Sequence, residues 1–194
     1  MAPLTALASA LGIAWSSSIS LYATVAFTGV AGRLGWVTLP EGLRALESPV
    51  VIAVAMVLTG VEIAATLVPG IATAWEALHV AIRPVASAAL AVAATWGANP
   101  ALVLVAGLLG GSLGAATTLT KLKLRSAIDA SPEPVSNAVA TGAELSTVAG
   151  MAWLVWSHPW VALALAIALL GALILVARAV WKALRQAATW ARGG

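Results

Sequence analysis

Long apolar runs broken by short polar segments dominate the chain, and the lengths of the runs predict membrane helices rather than strands or soluble amphipathic helices. The first runs over about residues 4–31. A polar stretch from Arg33 to Ser48 follows, holding Gly35, Pro40, Gly42 and both acids and bases, and this is the longest expected loop. Further helices are predicted over about 49–68, 73–97, 100–120, 132–156 and 159–183, with a basic tail over 184–194. Ser48-Pro49, Asn99-Pro100 and His158-Pro159 open three of them, as proline suits the first turn of a helix. Pro69-Gly70 stops the second. Pro84 gives the third two readings: one long kinked helix, or a short inserted one preceded by an interfacial segment. Lys121 to Glu133 reads as a loop.

Composition agrees. Of 194 residues, 61% are hydrophobic and 9% charged, where a soluble domain carries about 25% charged residues. One transmembrane domain, an all-α bundle of about six crossings, uses up the chain. Cysteine is absent, which excludes disulfides, thiolate metal sites and cysteine nucleophiles. The basic balance does not point to nucleic acid, because the cations sit in short segments beside apolar spans. With six crossings, Arg83, Lys121, Lys123, Arg125, Arg178, Lys182, Arg185 and Arg192 fall on one side and Arg33 and Arg44 on the other. That bias predicts both termini in the cytoplasm of a bacterial-type inner membrane. Met1 to Ser18 lacks Lys and Arg and runs on without a polar break, so a retained first crossing is expected rather than a cleaved signal. Trp36, Trp75, Trp96 and Trp160 fall at predicted span ends, as interfacial anchors do. Val30-Ala31-Gly32 and Val148-Ala149-Gly150 recur, a hint of a weak internal repeat that shared helix-start chemistry explains as well.

Polar residues inside the runs are the candidate chemistry. Glu62 and Glu144 lie within crossings, where an acid must be paired, hydrated or protonated. Thr59 and Thr66 share a helical face with Glu62, as Asn137 and Thr141 do with Glu144. Ser16, Ser20, Thr24 and Thr28 form a hydroxyl stripe on the first helix. Glu76, His79 and Arg83 follow at i, i+3 and i+7, a face suited to a proton relay or to a structural network. Lys121 adds a cation. If these stripes converge they enclose a polar cavity; if not, they are structural ion pairs and hydroxyls bonded to their own helices. Two glycine pairs, Gly107/Gly111 and Gly110/Gly114, and the small stripe Ala138, Gly142, Ser146 and Gly150 predict close helix contacts. The segment Asp129 to Asn137 holds the motif Ser131, Pro132, Glu133, Pro134 and Ser136, read as a capped helix start or, with Lys121, Lys123 and Arg125, as an anion site.

Ser20-Leu-Tyr-Ala-Thr24, Arg33-Leu-Gly-Trp36, Glu62 ahead of Pro69-Gly70, Trp75-Glu76 with His79 and Arg83-Pro84, Thr120-Lys121 and Ser131-Pro-Glu-Pro-Val-Ser-Asn137 together resemble the DUF4126-type family of small bacterial integral membrane proteins, whose function is unknown. The resemblance covers most of the chain. It implies a membrane bundle and supplies no activity. Where that family carries further charged residues, this chain has Ala65, Leu67, Ala72 and Leu145, so its polar network is thinner.

The expected function is a small transporter or channel whose site lies among Glu62, Glu76, His79, Arg83, Lys121, Asn137 and Glu144. The alternative is a non-catalytic accessory or scaffold subunit. An enzyme acting on a lipid ranks last, since no nucleophile–base pair or complete metal set is visible. Membrane lipids are the expected partners, with a homo-oligomer or larger membrane complex left open. The sequence specifies no cofactor.

Overall fold

Proline opens five of the seven α-helices among the described residues, where its missing N–H costs nothing and its fixed φ is already helical. The computed structural model describes residues 3–68, 70–129 and 134–190. Its helices are α1 (Pro3–Ile19), α2 (Leu21–Arg33), α3 (Pro49–Leu67), α4 (Ile71–Ala94), α5 (Pro100–Asp129), α6 (Pro134–Ser157) and α7 (Pro159–Trp190), with a short 3₁₀ helix at Glu41–Glu47 before α3. The described residues contain no strand. Helices α3 to α7 are each long and apolar enough to cross a bilayer. The chain is a multi-pass membrane protein.

The apolar run over 4–31 is not one helix. It breaks at Ser20, whose backbone is extended (φ −143°, ψ 107°). The Ser16 and Thr24 hydroxyls, eight residues apart, meet at 3.0 Å, whereas an unbroken helix would separate them by about 12 Å along its axis. The chain therefore turns back on itself. Near the start of α1, Ser9 donates to the Val155 carbonyl in the last turns of α6, and Ala6 borders the same hollow as Pro40 and Ala94 to Ala98. At the end of α2, Gly32 packs beside Leu39 and Glu47. Both arms thus start and finish at the end of the bundle that holds the 34–48 connection, and the tip at Ser20 points toward the other end. With 13 residues, α2 spans about 20 Å, short of a hydrocarbon core of about 30 Å. Irregular backbone at membrane depth survives only when enclosed by protein, and Ser20 is 2% exposed.

α1 is the centre of the molecule, packed against α4, α5, α6 and α7. From Ala8 to Ser20 only Leu11 is not fully buried. Ser17 and Ser18 satisfy their hydroxyls on the carbonyls of Ala14 and Trp15, and Ser17 also meets Ser87 of α4 at 2.9 Å.

Three further features have physical causes. α5 continues through Lys121 and Arg125 to Asp129 instead of ending near residue 120. The two cations lie one turn apart on its inward face, so charge that reads as a water-exposed loop is core. α4 is one helix of 24 residues with Pro84 inside it, packed where Gly111 and Gly114 of α5 leave room. The stretch from Arg33 to Ser48 folds back onto the bundle through buried Leu39 and Leu43. There Gly29 faces the Leu46 carbonyl and Gly42 the Ala93 carbonyl, approaches that leave no space for a side chain.

Gly107, Gly110, Gly111 and Gly114 all face α4; a Cβ at Gly110 would lie 2.7 Å from that of Ala91. The other small stripe is different. Ala138, Gly142, Ser146 and Gly150 are exposed along α6. Trp36, Trp96 and Trp160 are exposed at the end holding the 34–48 connection, whereas Trp75 stacks on His79. The two Val-Ala-Gly triplets occupy unlike places, the end of α2 and the interior of α6.

Candidate functional site

Helical spacing brings the polar residues of α3, α4, α5 and α6 to one level, in the half of the bundle that contains the ends of α3 and α5. Glu76, His79 and Arg83 share the inward face of α4, Lys121 and Arg125 that of α5, and Asn137, Thr141 and Glu144 that of α6. Glu62 reaches in from the last third of α3.

The charges form a continuous chain of alternating sign. Arg83 binds Glu62 at 2.6 Å with one amino group and Glu76 with the other. Lys121 lies 3.0 Å from Glu76 and 2.9 Å from Glu144. Arg125 closes the series, 3.0 Å from Glu144. Glu62, Arg83, Glu76, Lys121, Glu144 and Arg125 thus comprise three carboxylates and three cations, and sum to zero when all are ionised. Neutrality matters because a lone charge in this setting costs several kcal/mol.

The re-entrant tip joins this chain at two atoms. The Ser20 hydroxyl donates to Glu62 Oε2. The Lys121 ammonium donates to the Ile19 carbonyl at 2.5 Å, one of the acceptors that the end of α1 leaves without a helical partner. Arg125 also donates to Asn137 Oδ1 (3.2 Å) and Thr141 Oγ1 (3.1 Å), and Thr141 donates to Thr66 (3.2 Å). Asn137 Nδ2 donates to Asp129 (3.0 Å), whose other oxygen accepts from the backbone N–H groups of Gly70 and Thr73, each at 3.0 Å. That carboxylate pins the α3–α4 turn to the end of α5.

His79 takes no part in the ion pairs. Its Nδ1 lies 2.8 Å from the Trp75 carbonyl, which only accepts, so Nδ1 carries the proton and Nε2 accepts from the Tyr22 hydroxyl at 3.2 Å. The ring packs between Tyr22 and Trp75, beside the charges rather than among them. Among the described residues no three His, Asp or Glu side chains group as metal ligands.

All seven residues expected at the site lie in this half, six of them in the bonded network and His79 at its edge. Sequence reasoning assigned no network role to Arg125, Asp129 or Tyr22. Arg125 was legible from its four-residue spacing to Lys121; the other two carry no such signal. Lys121 and Arg125 are engaged by carboxylates, and Arg125 also reaches Asn137 in the first turn of α6. Lys123 is exposed. Ser131, Pro132 and Glu133 lie outside the described residues, Pro134 opens α6 and Ser136 is half-buried. Of the hydroxyl stripes, Thr59 bonds its own helix at Ala55, and the Thr28 hydroxyl has no partner among the described residues.

Glu144, Lys121 and Arg125 also border a chamber of about 300 Å³ between α1, α5, α6 and α7, otherwise walled by apolar side chains such as Ile19, Leu124, Leu169 and Leu173.

The sequence model of DUF4126, described as a domain of unknown function, matches residues 7–179, and the chain belongs to that family. No curated protein and no solved structure matches it.

Proposed function

We propose that this member of the DUF4126 family is a small transporter or channel for an ion or small solute, with the six-membered charge chain as the element that moves or gates charge. The observation that carries this reading is the continuity of the chain across four helices up to the tip of a broken, re-entrant one. Each inner member bridges two opposite charges, so neutralising Glu62 or Glu144 frees a cation to re-pair along the series. Transporters place ion sites where helices are interrupted at membrane depth, and intramembrane acid and base series mark proton or ion paths.

The re-entrant hairpin also changes the expected topology. Five crossings then place the N-terminus and C-terminus on opposite sides of the bilayer, in place of two cytoplasmic termini. Lys121, Lys123, Arg178 and Lys182 lie toward the charge-chain end and Arg33 and Arg44 at the other, so the charge-chain end and C-terminus face the cytoplasm of a bacterial-type inner membrane. The absence of native cysteine makes a direct test simple. In intact cells, an impermeant maleimide labels Leu4→Cys and Thr38→Cys but reaches Lys182→Cys only after permeabilisation; the reverse pattern at Leu4→Cys overturns the five-crossing arrangement.

For function, proton, monovalent-cation and small-anion flux is measured in liposomes carrying wild-type protein, Glu62→Gln or Glu144→Gln. Both variants fold and change one of these fluxes; equal flux in all three overturns the reading. The accessory-subunit reading draws on the closed state of the inner pairs, with Glu76 and Arg83 both at 0% exposure, and on the exposed small stripe of α6. It predicts a stable, stoichiometric partner after mild detergent extraction.

A further inference from the structure

At the end of the bundle away from the charge chain, a hollow of about 280 Å³ lies between α2 and α3. Six of its lining residues are apolar and the seventh is Arg33, the last residue of α2. α3 fixes the depth of this hollow. Its 19 residues span about 28 Å, close to a hydrocarbon core of about 30 Å, so Pro49, in its first turn and bordering the hollow, marks the edge of that core. Ile52, Ala53 and Met56 line the hollow one and two turns deeper, down to about 10 Å below Pro49. The Arg33 guanidinium bonds the Glu47 carbonyl, two residues ahead of Pro49. It therefore lies at headgroup level, and the apolar wall runs down beside the acyl chains. Trp36, exposed at the same end, fits that depth.

The guanidinium is accessible and has donors to spare. Arg33 is exposed, and among the described residues it makes one hydrogen bond, the 3.3 Å contact to Glu47, and no ion pair. It is not needed as a helix cap, because the backbone N–H groups of Leu34, Gly35 and Trp36 already bond the carbonyls of Val30, Gly32 and Ala31. The carboxylate of Glu47 sits against Gly32, which lies roughly opposite Val30 and Leu34 around α2, so no acid enters the hollow. Arginine pairs with phosphate bidentately. A reachable guanidinium above an apolar groove thus complements a phosphate above an acyl chain, while the ammonium of a zwitterionic headgroup finds no partner in the lining. We infer that this groove binds one anionic phospholipid, its phosphate on Arg33 and an acyl chain against Ile52, Ala53 and Met56. The site is separate from the charge chain and its test reads binding alone, so its failure leaves the flux reading untouched.

The test uses phosphatidylglycerol and phosphatidylcholine probes with identical tails, each carrying a diazirine in one acyl chain. Protein in phosphatidylcholine nanodiscs is irradiated with a trace of either probe, and labelling of residues 49–56 is quantified by mass spectrometry. Lipids that merely surround the protein label this segment equally whatever their headgroup. The phosphatidylglycerol probe labels it about fivefold more, the size expected of one solvent-facing charge pair. Arg33→Gln abolishes the preference. Arg44→Gln, exposed at the same end of the bundle and outside the groove, keeps it. Ala53→Trp fills the groove from an exposed position and also abolishes it. Should one of the two groove variants fail to fold, the other still decides the matter. Equal labelling by the two probes in the wild type, a preference that survives in Arg33→Gln or Ala53→Trp, or an equal loss in Arg44→Gln would each overturn the inference.

Discussion

The two halves of this bundle are held together by opposite means. At the end holding the 34–48 connection, α4 and α5 meet through Gly107, Gly110, Gly111 and Gly114 against Ser87, Ala88, Ala91 and Val92, so closely that no added methyl group fits without movement. Toward the other end the same two helices are joined by the Glu76–Lys121 ion pair, while Arg83 ties α4 to Glu62 of α3. In a membrane the hydrophobic effect does not favour helix contact over lipid, so close van der Waals packing and polar bonds must supply the association. Small-residue packing has one good arrangement. A chain of ion pairs has several, because its inner cations already face two carboxylates each. The glycine half is suited to be a frame and the charged half to be a moving part.

The largest expected effect comes from removing the cation that bridges two acids. Arg83→Met leaves Glu62 and Glu76 buried beside each other without their shared counter-charge and destabilises the fold by about 3–5 kcal/mol, seen as early loss of the monodisperse peak on heating in detergent. Adding Glu62→Gln alone to Arg83→Met restores most of that stability, because Glu76, Lys121, Glu144 and Arg125 then remain as two acids and two bases in balance. If the single variant is as stable as wild type, the charged half does not hold the helices together.

Gly110→Val comes next. Its side chain meets Ala91 and the Ser87 carbonyl, an overpacking cost of about 1–3 kcal/mol. The same substitution at Gly142, which faces open space, leaves thermal unfolding unchanged. Equal effects at the two glycines would show that the frame lies elsewhere.

Asp129→Ala removes the acceptor that ties Gly70, Thr73 and Asn137 together. Hydrogen bonds to a charged group contribute about 1.5–3 kcal/mol where fully formed; this carboxylate is partly open to solvent, so about 1 kcal/mol is expected. Faster hydrogen exchange at residues 70–74, with no change around Gly110, is the accompanying signature. The smallest effect is Thr59→Val. Its hydroxyl bonds only to Ala55 in its own helix, and unfolding shifts by less than about 0.5 kcal/mol.

The charged half was the more legible in sequence. Acids inside apolar runs demand partners, and the spacing of Glu76 to Arg83 and of Asn137 to Glu144 is enough to place each group on one helical face. Hydropathy misread the cations. Lys121 and Arg125 suggested a loop because their partners come from other helices, which a local average of polarity does not register. The break at Ser20 was hidden for a related reason: Ser16 to Ser20 is compatible with a helix, and only the enclosure of the tip by its neighbouring helices makes the extended residue tolerable. Glycine pairs announced a contact on α5 and an equally plausible one on α6, and nothing in the spacing distinguishes a face that meets a helix from one that does not.

The most direct test of the charge chain as a moving part is electrical. Liposomes with oriented protein are adsorbed on a solid-supported membrane, and the current that follows a rapid pH or ion step is recorded for wild type and Glu144→Gln. The account predicts a transient current in the wild type that falls by about tenfold or more in the variant. A wild-type trace indistinguishable from protein-free liposomes under every step would contradict it.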